Sequence, residues 1–105
     1  MKIKTIDITA KEWFDKVNGN SYFSAQVTIN FNRKTEKTFY MPLQYGYGNH
    51  SEDMARKLLF DEKLLSDQGE YLSLSLYCRE NKIDYRYNKQ ENCLKRDVKS
   101  FGEEL

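Results

Sequence analysis

Proline is almost missing from this sequence, with one residue, Pro42, in 105. Glycine is scarce at five, and there are one histidine, one tryptophan and two cysteines. Cys78 and Cys93 have no further cysteine pair near them, which excludes a disulfide framework and a cysteine-rich zinc site. They are expected as reduced thiols in or near a core, and that expectation places the chain in the cytoplasm. No apolar run approaches the ~18–20 residues of a membrane span. Met1 to Asp7 alternates charge with isoleucine and lacks the apolar stretch of a secretory leader. Excess charge of one sign is lacking too. Seventeen basic against sixteen acidic side chains leave +1, so net charge implies no polyanion partner.

Rings are abundant instead. Aromatics make up 14% of the chain, with eight tyrosines and six phenylalanines, against 39% hydrophobic and 31% charged residues. Disordered chains lack such residues, so a folded core built on rings is expected. The length suits one domain, residues 1–105.

Ile3, Ile6 and Ile8 suggest a short first strand or an extended lead-in. Thr9 to Glu12 has the form of a capping box, and Trp13, Phe14 and Val17 share a helical face, so a short helix ending at Asn18-Gly19 is predicted. Phe23, Ala25, Val27, Ile29 and Phe31 alternate with polar residues and predict a half-buried strand. Phe39, Met41 and Leu43 predict its hairpin partner. Pro42 cannot donate to a ladder, which puts that strand at an edge and leaves room for a homodimer. Ser51, Glu52 and Asp53 open a helix whose face is Met54, Ala55, Leu58 and Leu59, with Leu65 beyond them. Residues 70–81 fit a strand by the Leu72/Leu74/Leu76 alternation and a helix by their ending; both stay open. Ile83, Tyr85 and Tyr87 predict a strand, and residues 91–99 a helix. The fold class expected is α+β: a small antiparallel sheet of three to four strands with two to three helices on one face.

No catalytic constellation stands out. His50 and Ser51 are sequence neighbours, which rarely supply the geometry of a nucleophile–base pair. The carboxylates show no metal-ligand spacing. A non-enzymatic protein without cofactor or metal is expected. Tyr45-Gly46-Tyr47-Gly48 lacks the lysine and third glycine of phosphate loops, but its glycines allow a sharp turn that fixes Tyr45 and Tyr47 beside His50, either to cover the core edge or as a recognition surface; both readings stay open. Tyr85, Arg86, Tyr87, Lys95, Arg96 and Lys99 set rings beside cations, a pattern of RNA or protein contact, although residues 84–99 carry only five positive against three negative charges. Residues 49–70 are acidic, with six acids against three bases.

Three stretches, Trp13 to Ala25 (WFDKVNGNSYFSA), Pro42 to Gly48 (PLQYGYG) and Glu91 to Lys99 (ENCLKRDVK), resemble small uncharacterised proteins of bacteriophages and prophages. The resemblance implies a context rather than an activity: a small phage product acting in the host cytoplasm by binding a host protein. Anti-CRISPR inhibitors are similar in size and in lack of motifs. The function expected is therefore steric inhibition of a bacterial defence system, an RNA-guided CRISPR nuclease or its guide RNA being the partner. The alternative is a small nucleic-acid-binding accessory protein of phage DNA or RNA metabolism.

Overall fold

Alternation at the start of the chain runs further than the capping signal suggests. In the computed structural model, which describes residues 2–101, strand β1 spans Thr5–Asp15. The helix expected from Thr9 to Val17 does not form. β1 pairs antiparallel with β2, Asn20–Ile29, from Ile6↔Ile29 to Asp15↔Asn20, and this continuous ladder outweighs a local cap. Asn18-Gly19 closes the hairpin instead. Gly19 adopts φ +70° and its N–H donates to the Asp15 carbonyl at 2.7 Å. The Asp15 carboxylate accepts from the Val17 and Asn18 amides at 3.0 and 3.3 Å and from the Asn18 side chain at 2.8 Å. The Asn18 side chain above all holds that carboxyl below the usual range.

β2 ends before Phe31, which is 64% exposed rather than part of the core. The reason is Asn30, fully buried at φ +53°. Its side chain accepts from the Lys4 amide at 2.7 Å and donates to the Lys2 carbonyl at 3.1 Å and the Thr35 hydroxyl at 2.9 Å. The chain turns there and returns as β3, Lys37–Tyr45, an edge strand carrying Pro42.

Helix α1, His50–Asp61, a 3₁₀ turn at Asp67–Glu70 and helix α2, Leu74–Glu80, then lead to β4, Asp84–Gln90. The open segment 70–81 thus contains a helix, capped by the Ser73 hydroxyl accepting from the Leu76 amide at 3.2 Å. β4 lies beside β1 in the order β3-β2-β1-β4 and runs parallel to it. The fold is α+β as expected, but its sheet is mixed, not antiparallel: the α1–α2 segment supplies the long crossover a parallel neighbour requires.

The core lies between the sheet and α1 and α2. Ile6, Ile8, Ala10, Phe23, Ala25, Val27, Ile29 and Met41 meet Ala55, Leu59, Leu74, Tyr77 and Cys78 there. The third helix, α3, Lys95–Lys99, is shorter than expected and lies on the other face. It packs against β1, β2 and β3 through Val98, and its neighbours Lys11 and Trp13 alternate with core-facing Ala10. The Cys93 amide donates to the Glu12 carbonyl at 2.9 Å and carries the chain across the sheet. No described helix is long and apolar enough to cross a membrane.

The thiols sit in different surroundings. Cys78 is buried, and burial together with the nearby Glu52 charge pushes its thiol up to about 12. Cys93 is partly exposed. A disulfide-exchange reagent at pH 8 is expected to label Cys93 promptly and Cys78 only as the protein unfolds. Fast labelling of both thiols in the folded state would contradict this burial.

Candidate functional site

Between β3 and α1 the chain makes a tight aromatic turn. The Gly46 amide donates to the Ser21 carbonyl at 3.1 Å, extending the sheet one residue beyond β3. Gly46 is the residue the turn cannot replace. A Cβ there would lie 2.5 Å from His50 Cδ2 and 2.6 Å from Phe23 Cε1. The exposed His50 ring meets Phe23 edge-on at 5.8 Å. Gly48 adopts φ +60°, and the His50 amide donates to the Tyr47 carbonyl at 3.1 Å.

Lys89 fastens the turn from β4. Its Nζ donates to the Gly48 carbonyl at 3.0 Å while lying 2.6 Å from Glu12 Oε2 and 3.4 Å from Glu91 Oε1. Burial opposes its charge, but the bonds and charges of Glu12 and Glu91 outweigh that and raise its pKa above the usual lysine value. Tyr45 and Tyr47 project from this frame, 56% and 69% exposed. With Gly46, Asn49, His50 and Asp53 they line a concavity of about 420 Å³. Tyr45, Tyr47 and His50 therefore come together as expected.

The second expected group does not form one surface. Tyr85 and Tyr87 share the core-facing side of β4, in register with Ile6 and Ile8. The Tyr85 hydroxyl donates to Glu52 Oε2 at 2.5 Å, and the Tyr87 hydroxyl shares a 2.5 Å hydrogen bond with Ser51 Oγ. Burial, then the Glu52 carboxylate, drives the Tyr85 pKa far above its ordinary value. Ser51 is accordingly a buried partner of β4 and not the cap of α1; Asn49 holds the capping position. Arg86 alternates to the outer face, where its Nε lies 3.9 Å from Asp7 Oδ1. Lys95, Arg96 and Lys99 lie on α3.

The sequence marks Lys89 only as one of the five cations of residues 84–99 and Tyr22 only as part of the polar face of its strand. It shows neither the clamp Lys89 makes nor the stacking of Tyr22 on Trp13 at 5.5 Å. Trp13 was placed on a helix; continuing the β1 alternation past Ala10 would have placed it outward. Among the described residues no group of three or more His, Cys, Asp or Glu side chains is placed to hold a metal ion. Compared with protein families, curated proteins and solved structures, the chain gives no match.

Proposed function

We propose that this protein acts by binding, as a phage-type inhibitor of a bacterial defence system in the host cytoplasm, with an RNA-guided nuclease as its target and occlusion as its mechanism. The observation that carries the binding half is the clamped turn. Two exposed tyrosines stand on backbone held by Gly46, His50 and Lys89, so little ordering entropy is lost on contact. Tyrosines beside a concavity are among the side chains in which interface energy concentrates. The inhibitor half rests on the resemblance of the three sequence stretches.

The test is affinity capture from host lysate with and without nuclease treatment, read by mass spectrometry and followed by an interference assay. One defence effector is expected to survive nuclease treatment. Tyr45→Ala and Tyr47→Ala, with unchanged circular dichroism, are each expected to weaken capture about tenfold, or roughly 1.4 kcal/mol. If both variants inhibit like the parent protein, the turn is not the contact. If the parent protein leaves interference intact, the inhibitor function is wrong.

A further inference from the structure

Three rings form a cross-strand row on the outer face of the sheet: Trp13 on β1, Tyr22 on β2 and Tyr45 on β3. Trp13 and Tyr22 stack at 5.5 Å with planes 27° apart, and Tyr45 meets Tyr22 edge-on at 5.9 Å. These rings lie opposite the main core, and the outermost is 56% exposed. Alongside them α3 supplies cations. Lys95 Nζ stands 5.3 Å from the Trp13 ring centre, and Arg96 and Lys99 of the same helix are exposed.

The carboxylates nearby are already engaged. Asp15 accepts from the hairpin amides, Asp97 accepts from the Leu94 amide at 3.3 Å, and Glu12 pairs with Lys89. Among the described residues, Lys95, Arg96 and Lys99 have no ion-pair partner. Lys95, Arg96 and Lys99 against Asp97 leave α3 with two net positive charges beside the rings, although the whole chain is near neutral.

We infer that this face binds single-stranded nucleic acid, with bases stacking on the ring row and phosphates meeting Lys95, Arg96 and Lys99. Base faces are open in a single strand and hidden in a duplex, and stacking on rings beside cations binds strands with little sequence preference. Lys95 is placed to exchange the Trp13 ring for a phosphate as a base arrives. The inference stands apart from the defence-nuclease proposal and shares only Tyr45 with the turn.

Trp13 is the only tryptophan, so its fluorescence reports directly on the row. The full chain is titrated with RNA and DNA single strands of about 12 nucleotides and with a duplex of the same sequence, over a range of salt. Saturable quenching by single strands, weak duplex binding and loss of affinity with salt are expected. Arg96→Gln with Lys99→Gln is expected to weaken binding about tenfold and flatten the salt slope by about 1.4 units, ~0.7 for each charge removed. Tyr22→Leu, folded by circular dichroism, is expected to weaken it about tenfold, while Lys57→Gln on α1 leaves it unchanged. Absence of quenching by folded protein, equal affinity for duplex, or an undiminished Arg96/Lys99 double variant would each overturn the inference. If polyglutamate of matched charge quenches Trp13 equally well, the face takes an acidic protein segment and the inference also fails. Capture of the defence effector is read separately and can stand or fall by itself.

Discussion

Gly46→Ala is expected to cost about 2 kcal/mol of stability, within the range for inserting one methyl into a packed site. In a domain of this size that lowers the unfolding midpoint by roughly 10 °C. The cause is space and not backbone conformation, since Gly46, unlike Gly19 and Gly48, lacks a positive φ. The new methyl would meet two rings with unequal freedom. His50 is exposed and can swing away, whereas Phe23 is 3% exposed and cannot move without opening the core. Gly46→Ala combined with His50→Ala is thus expected to recover only a minor part of the loss, and with Phe23→Leu a larger part. Thermal unfolding of the three variants decides this. An unchanged midpoint for Gly46→Ala alone would show that the close packing of this turn is wrong.

Lys89→Met is expected to destabilise the fold by about 2 kcal/mol. Removing one partner of an ion pair strands the other; that costs ~3–5 kcal/mol when fully buried and less here, where the two side chains are 15% and 16% exposed. The same substitution frees the Gly48 carbonyl and lets the tyrosine turn move, so target capture should weaken along with stability. The pH dependence gives a second signature. Because the folded-state pKa of Lys89 lies above the ordinary lysine value, its contribution is complete below about pH 10.5 and fades as pH rises through the folded value. Denaturant titrations should show a constant gap between parent and variant from pH 6 to 9, closing at higher pH. A gap that persists undiminished at pH 12 would mean that the lysine charge is not what stabilises the turn.

Much of the fold was legible where the pattern is local. Phe23 to Ile29, the Pro42 edge strand, the acidic first turn of α1 and the Tyr85/Tyr87 strand all follow from spacing within a few residues. The errors arose where distant partners decide. Thr9 and Glu12 carry a genuine capping pattern, yet Glu12 instead meets Lys89, seventy-seven positions away in sequence. Asn18-Gly19 suits a helix end and a hairpin alike, and only the β2 pairing separates the two. Phe31 continues an alternation that buried Asn30 interrupts. The turn at Tyr45 to His50 was legible because its glycines and rings are contiguous. The row of Trp13, Tyr22 and Tyr45 was not, since it exists only after three strands align.

The strand order also bears on how the molecule assembles. β1 and β2 are neighbours in sequence and can zip together as soon as both leave the ribosome, with β3 following. The second edge of β1 stays bare until residues 84–90 arrive, after α1 and α2 have been made. Until then an apolar strand lies open to stray pairing. Closing so long a loop is entropically slow, so β4 docking is the step expected to set the folding rate. A nascent chain stalled before residue 84 would present that open edge to chaperones, and emergence of residues 84–90 is what ends its vulnerability.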